Sequence, residues 1–522
     1  MIDKKIMVKN IDLKSDTYSI LCFVCRNIEK VIVPSFITTV NPYAFADCKK
    51  LKTVVFTGDS KLVSIEMSAF SESGIEKITI PKHVKKIGEF AFNGCSNLKT
   101  VNFSQNSELE IIEKESFSNS FIEYVSIPSS VKKINEGAFS LCTNLKEIEF
   151  EENSKIELID KKTFFMVSIN SIDIPSTVKE IDECAFFYCN LLNNVIFQGN
   201  SQLEIIGKSA FSHSALKTVF IPSHVKYIKE QAFFTCLQLE TIEFEENSEL
   251  ISVDKEAFLK TSIHQILIPR NVKIIGESSF SESLLDTIEF EEDSELEVIG
   301  QDAFSTTGID YIHIPNHVKQ IEESSFHYCC KLHTIELDEE NSELKAICGF
   351  AFSDSTLESI TIPANCEELK DNWCCGTTEL MDVIISPNNK YFTLMNENTI
   401  VGKSCLNNGF YDILYFAYRT IKEIVIPRSI RIISSFAFSG CQTLQKIEFE
   451  EGSELVLIDK YAFSDSAINE ISLPLHIRQI NESAFSDCNQ LSTINILEDA
   501  ELETIDKYAF SETSLNSLNF SS

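Results

Sequence analysis

The sequence predicts a β-rich solenoid, a superhelix of parallel strands with a short turn or helical turn in each coil, and two observations predict it. An Ile/Val/Leu-Pro dipeptide recurs with its prolines at Pro34, Pro81, Pro128, Pro175, Pro222, Pro269, Pro315, Pro363, Pro427 and Pro474, usually 47 residues apart. A phenylalanine recurs inside that period at Phe45, Phe70, Phe92, Phe117, Phe139, Phe164, Phe186, Phe211, Phe233 and Phe258, in alternating steps of 25 and 22. The repeating unit is therefore a pair of coils. The whole chain should hold about nineteen coils.

Within the pair, the first half reads roughly IPxxVKxIxxxAFxxCxxLxxIxF, as in residues 127 to 150, and the second roughly xxxSxLxxIxxxAFxxSxIxxIxI, as in residues 57 to 80. Both halves end in L/I-x-x-I-x-I/F. Apolar residues two apart face one side of an extended segment, so Ile148 and Phe150 point inward and Glu147 and Glu149 outward. One short strand per coil follows. A coil this small cannot bury its apolar side alone, so neighbours must stack with their strands in parallel, about 4.8 Å apart. The proline fixes φ, removes a donor and so ends the strand. The Ala-Phe segment fits a turn that inserts Phe into the core, which leaves little room for regular α-helix.

Length alone would suggest several domains, but the period overrides that prior. Apolar residues make up 43% of the 522, with 39 Phe, enough for a continuous core. Asp and Glu number 78 against 45 Lys and Arg, a formal net charge of -33, which repels phosphate backbones and anionic headgroups. Nucleic acid is excluded as a partner on this ground. No eighteen-residue apolar stretch occurs, and the start, MIDKKIMVKNIDLKSD followed by SILCFVC, does not read as a signal peptide, so no membrane insertion is expected.

Stretches such as IPSSVKKINEGAFSLCTNLKEIEFEENSKIELIDKKTF and IPSHVKYIKEQAFFTCLQLETIEFEENSELISVDKEAF resemble the BspA-like leucine-rich repeat family, over residues 31 to 520. Members with a similar FEENSELE link are abundant in parasitic protists, trichomonads especially. The resemblance implies a leucine-rich repeat solenoid and a surface antigen that binds host matrix proteins or cells.

Of the seventeen cysteines, Cys48, Cys95, Cys142, Cys189, Cys236, Cys329, Cys441 and Cys488 each follow a first-half Phe by three. Equivalent positions in alternate coils lie about 10 Å apart, beyond the roughly 5.5 to 6 Å that a disulfide needs between Cα atoms. These eight are read as buried free thiols used as small apolar residues. Second halves put Ser at the same site, at Ser73, Ser120, Ser214, Ser355 and Ser466. Cys22 and Cys25 form a lone CxxC without a second pair, and His327, Cys329, Cys330 and His333 are neighbours in sequence whose repeat positions point them apart, as do those of Cys374 and Cys375. No metal or cofactor is expected.

Acidic runs follow the first-half strands: Glu149, Glu151 and Glu152; Glu243, Glu245 and Glu246; Glu289, Glu291 and Glu292; Glu336, Asp338 and Glu339; Glu448, Glu450 and Glu451. Stacking turns such a recurrence into a stripe, with rungs about 10 Å apart. That stripe is either a docking surface for a basic partner or a solubilising face that blocks edge pairing. One carboxylate per rung does not converge the six to eight oxygens of a calcium site. Outward Tyr124, Phe220, Leu267, Tyr311 and His313 add the residue types that anchor interfaces. The candidate partner-binding face is Glu149, Phe220, Glu243, Glu245, Leu267, Glu289, Glu291, Tyr311, His313, Glu336 and Glu448. A basic row at Lys85, Lys86, Lys132, Lys133, Lys179, Lys226, Lys273, Lys319 and Arg431 reads as a solvated face across the coil.

The period breaks once. From Pro363 to Pro427 the step grows to 64, Trp373, the only Trp, stands in the Ala-Phe segment, and ISPNNKYFTLMNENTIVGKSCLNNGFYDILYFAYRTIKEIVIP is similar to a hairpin-bearing variant coil of the family, with Glu397 to Val401 departing from its pattern. The chain then divides into a partial coil or cap (1-30), a regular solenoid (31-363), a degenerate coil with a hairpin-like insertion (364-426) and a second regular stretch (427-522) without an obvious end cap, where self-association is possible. No Gly-rich phosphate loop, G-x-S-x-G elbow or HExxH occurs, and His83, His224, His317 and His476 recur two residues after the proline as repeat positions. An enzyme is not expected. Two readings remain. One is an adhesive surface protein, to which the sequons at Asn102, Asn481 and Asn519 lend weight; the other is an intracellular scaffold for a cytosolic partner, which the thiols favour.

Overall fold

A buried Ile or Val flanked by polar residues is the signature of a half-buried strand, and the computed structural model places a strand at the end of every coil. It describes residues 6–10, 18–407, 409–516 and 519–521 and divides into two compact units, Met1–Asn271 and Val272–Ser522, each taken by itself. Among the described residues there are twenty-one such strands and no helix. Residues 1–5 and 11–17 of the proposed N-terminal partial coil, and 517, 518 and 522 at the other end, lie outside the described residues.

In the first unit, Lys30–Val33 runs parallel to Thr53–Phe56 with all four residues in register, as do Lys77–Ile80 with Thr100–Phe103 and Tyr124–Ile127 with Glu147–Phe150. From one such pair to the next a single residue pair is matched, Thr53 with Lys77 and Thr100 with Tyr124. The two-coil period is thus written into the ladder. After a first-half strand the chain leaves the sheet through its acidic loop, and its closing Phe is only half-buried, as at Phe103 and Phe150.

Each coil holds two strands where the sequence pattern indicated one. The V-K-x-I stretch buries Val84 and Ile87 while Lys85 and Lys86 face water, and its last two residues pair with neighbouring coils: Lys86 and Ile87 with Ser64 and Ile65 on one side and Ile111 and Ile112 on the other. Buried backbone groups need partners, and in a coil without a helix only the adjacent coil can supply them.

The Ala-Phe turn has its own logic. Two residues in each turn hold positive φ, two before and two after the core Phe, for example Phe90 (54°) and Gly94 (68°) around Phe92, and Gly137 (64°) and Leu141 (61°) around Phe139. Left-handed backbone is costly for a bulky residue such as Leu141. In return, alternate N–H groups all point to the next coil: Phe90 N donates to Lys114 O (3.0 Å), Phe92 N to Ser116 O (2.6 Å) and Gly94 N to Ser118 O (3.0 Å). The phenylalanines stack face to face as a consequence. Ring centroids from Phe45 to Phe258 follow one another at 4.4 to 5.7 Å, and in the second unit from Phe280 to Phe352 at 5.3 to 5.6 Å. Each such contact adds about 0.5–1.5 kcal/mol beyond burial.

In the second unit the short-strand ladder runs from Ile274–Ile275 to Glu368–Leu369. The insertion then forms a three-stranded antiparallel meander: Phe392–Met395 pairs with Thr399–Gly402, which pairs with Ile413–Ala417. The stretch from Glu397 to Val401, which departs from the family pattern, makes the turn and the second strand, with Asn396 (52°) and Glu397 (60°) at positive φ. Asn389 fixes the entry. It is buried and uses its whole amide, donating to Pro363 O (2.8 Å) and Cys366 O (2.9 Å) and accepting from Tyr391 N (2.8 Å) and Phe392 N (2.9 Å). Trp373 stands at the alanine position of the turn and Cys374 at the phenylalanine position, since Phe352 N donates to Trp373 O (2.8 Å) as Phe326 N does to Ala351 O (2.8 Å).

Candidate partner-binding face

Alternation along the four-residue strands sends their first and third residues to water. In the first unit this exposes Glu149, Phe220, Glu243 and Leu267, with Phe220 directly beside Glu243 in register. Ile196 joins them, exposed to 47% next to Phe220 at 50% and Leu267 at 48%. Sequence reading passed over Ile196, although its place in the I-x-F ending marks it as outward. In the second unit Glu289, Tyr311, His313, Glu336 and Glu448 are likewise exposed.

These rungs are not all free. Tyr124 donates its hydroxyl to Glu149 Oε2 (2.6 Å), and Tyr311 does the same to Glu336 in the adjacent coil. The bonded carboxylate holds the Tyr124 phenol above its ordinary range, and burial followed by Glu336 lifts Tyr311 to about 12. Glu336 also has His313 at 4.0 Å, and Glu448 pairs with Lys446 (2.6 Å). Glu245 serves a different purpose: its Oε2 accepts the backbone N–H of Ser223 (2.8 Å), closing the turn after Pro222 in the preceding coil. Glu151 and Glu450 do this for Ser129 (2.9 Å) and Arg428 (3.0 Å). The hydrogen bonds from Ser223 keep the Glu245 carboxyl below the usual range. Glu291 occupies the corresponding position and is half-buried.

The basic row is likewise built into the coils. Lys132, Lys179, Lys226 and Lys319 bond Glu110 (2.8 Å), Glu157 (3.1 Å), Glu204 (3.0 Å) and Glu297 (2.6 Å) of the preceding coil. The recurrent histidines bond the coil that follows: His83 with Glu108 (3.1 Å), His224 with Glu249 (3.1 Å), His317 with Glu343 (3.0 Å) and His476 with Glu501 (3.1 Å). Surface pairs of this kind contribute little one by one. Their repetition fixes the loops that flank the face.

All seventeen cysteines are free, and the eight at the repeat position are buried. Cys95, Cys142, Cys236, Cys329 and Cys488 reach back one coil, as Cys95 to Phe70 O (3.1 Å) and Cys142 to Phe117 O (3.1 Å), and touch the second-half hydroxyl, as Ser73 (3.5 Å) or Ser120 (3.3 Å). His327 faces Ser353 O (3.2 Å), His333 faces Asp310 (2.6 Å), and Cys330 is exposed while Cys329 is buried. Among the described residues no group of three or more His, Cys, Asp or Glu is placed to hold a metal ion. Among the described residues there is no helix long and apolar enough to cross a membrane.

Stacked coils with parallel strands, an inward Leu/Ile ladder and an outward polar face define a leucine-rich repeat solenoid. The model of the BspA type leucine-rich repeat region matches the chain in overlapping runs from residue 16 to 406 and again from 414 to 522, and the chain belongs to that family. Among solved structures it is similar to a leucine-rich repeat protein of Bacteroides ovatus, with 21% identity, a TM-score of 0.52, and 73% of this chain and 94% of that one covered. It is also similar to the pneumococcal vaccine antigen PcpA (17% identity, TM-score 0.34, 99% and 97% covered) and to a leucine rich cell surface protein of Faecalibacterium prausnitzii (19%, 0.26, 100% and 94%). No curated protein matches.

Proposed function

We propose that this chain is a non-catalytic recognition solenoid that binds a protein partner on the outward face of its four-residue strands, as a surface antigen adhering to host matrix proteins or cells. Leucine-rich repeat proteins typically bind other proteins. The observation that carries the reading is the exposed apolar row of Ile196, Phe220 and Leu267, interrupted only by Glu243, on the outward side of neighbouring strands. Partially exposed large apolar groups beside a carboxylate suit a partner segment that mixes apolar and basic side chains. Phe220→Ser combined with Leu267→Ser and Glu243→Lys should lower adhesion of the labelled chain to host-cell monolayers and immobilised matrix at least about tenfold, with unchanged circular dichroism. Full adhesion by this variant would remove the face from consideration. Glu245 is left out of the set because its loss would also open the turn at Ser223.

A second reading, a scaffold in a reducing compartment, is supported by the seventeen unpaired cysteines. Protease shaving of intact cells separates the two. Loss of the full-length band is expected for the surface protein, and its survival favours the scaffold.

A further inference from the structure

The stretch YDILYFAYRTIKEIVIP at residues 411 to 427 repeats YSILCFVCRNIEKVIVP at residues 18 to 34, with Tyr, Ile, Leu, Phe, Arg, Ile and Pro at matching places. Matching positions are 393 apart, which is no multiple of the 47-residue period. The likeness extends to the hydrogen bonds. In the first unit Arg26 Nη1 donates to Ala44 O (3.4 Å) and approaches Cys48 Sγ (3.5 Å), with the guanidinium 4.9 Å from the Phe23 ring. In the second unit Arg419 Nη1 donates to Ala437 O (2.9 Å) and approaches Cys441 Sγ (3.8 Å), 4.5 Å from the Phe416 ring. Val24 N and Ala417 N donate to the same two alanine carbonyls (3.1 and 3.0 Å). Asn41 N donates to Leu21 O and Ser434 N to Leu414 O, both at 2.9 Å. Each stretch carries an antiparallel partner strand, Ile6–Asn10 or Thr399–Gly402.

The chemistry explains why a solenoid of this polarity needs such a device. In a body coil the carbonyl of the turn alanine accepts the N–H of the Phe one coil earlier, as Ala91 O does from Phe70 N (2.7 Å). The first coil of a stack has no earlier Phe, and a buried carbonyl without a donor is costly. The arginine and one backbone N–H take over that duty. Arg26 and Arg419 are therefore start caps. The ladders agree: among the described residues Glu368–Leu369 pairs only with Ala346–Ile347 and Asp382–Ile385 only with Ser359–Ile362, while new parallel ladders begin at Ile413–Ala417 and at Glu423–Ile426. What joins the two sides is carried by side chains: Val383 N to Tyr418 Oη (3.0 Å), Ser434 Oγ to Asp371 Oδ1 (3.3 Å), and Trp373 set edgewise against Phe352 and Phe416.

We propose that a second, separately capped recognition solenoid begins at Tyr411, and that its coils open and close as one unit, independently of the coils from Val272 to Ile385. Its outward face is its own, with Val425, Glu448, Leu475 and Leu497 around a groove of about 710 Å³. Hydrogen exchange of the full chain, read by mass spectrometry, tests this. Arg419→Met should raise exchange at Ile433, Ile447, Ile458 and Phe463 together, by about tenfold or more, and leave Ile299, Ile321 and Ile347 unchanged; Arg419→Lys should restore most of the protection. Loss spread equally to both sides, or no loss beyond Arg419's own turn, would overturn the proposal. Should the Met variant fail to fold, the wild-type chain in graded urea decides: two separate steps of exchange on the two sides of the joint support it, and a single shared step overturns it.

Discussion

Cys189 lies against the backbone of the coil before it, its thiol 3.2 Å from Phe164 O, and burial pushes its pKa to about 12; Cys95, Cys142, Cys236 and Cys329 are pushed to about 11 for the same reason. The thiolate is the reactive form, so these positions should resist alkylation. In native iodoacetamide labelling we expect the exposed Cys25, Cys330 and Cys405 to react first and these five only after unfolding; labelling of Cys95 as fast as Cys330 would contradict the packing. A stability consequence follows with a definite sign. Thiols in the unfolded chain ionise near 8.5, the buried ones only near 11 to 12, so their contribution is complete below about pH 8.5 and is lost as pH rises toward the folded values. The core phenylalanines matter more per residue. Phe211→Ala should cost about 3–5 kcal/mol in urea unfolding, because Phe186 and Phe233 lose a stacking partner at 5.2 and 5.5 Å.

At the scale of the element, position in the repeat decides what an acidic residue does. Glu243→Gln should leave stability unchanged, whereas Glu245→Gln should cost up to about 1 kcal/mol, because the weaker acceptor loosens the turn at Ser223; equal effects in thermal melts would erase the distinction. The period and the I-x-I/F ending made the four-residue strands, the core Phe column and the eight thiols legible in the sequence, since each repeats at a fixed step. What escaped was relational. The two-residue strand at Lys86–Ile87 exists because adjacent coils supply its partners, and the capping role of Glu245 depends on a backbone N–H 22 residues earlier, so neither leaves a mark in local propensity. The left-handed residues escaped for the same reason, since Leu141, Met166 and Tyr188 are poor choices for that conformation and only the ladder to the next coil accounts for them.

For the molecule as a whole, the inter-coil ion pairs set a limit to stability in acid. Lys132 bonded to Glu110 and Lys319 bonded to Glu297 hold those carboxyls below the ordinary range. Glutamates of the unfolded chain titrate near 4.3, so the ladder acts in full above that pH and its contribution disappears as pH falls through the lower folded values. We expect the thermal midpoint to hold down to about pH 5 and to drop below about pH 4; a midpoint still unchanged at pH 3.5 would mean that the ladder adds nothing. The candidate face was half legible: exposure of Glu149, Phe220, Glu243, Leu267 and Tyr311 follows from strand alternation, but which carboxylates are already engaged by a neighbouring tyrosine or turn follows only from the stacked geometry. The alternation of thiol and hydroxyl between successive coils also constrains how such a chain can change length. Removing the single coil that holds Phe117 and Ser120 would set Cys95 and Cys142 in adjacent coils, about 4.8 Å apart and within reach of a disulfide, whereas removing a whole pair would keep them separated. Gain or loss of whole two-coil units therefore keeps such thiols apart and the core insulated from oxidants.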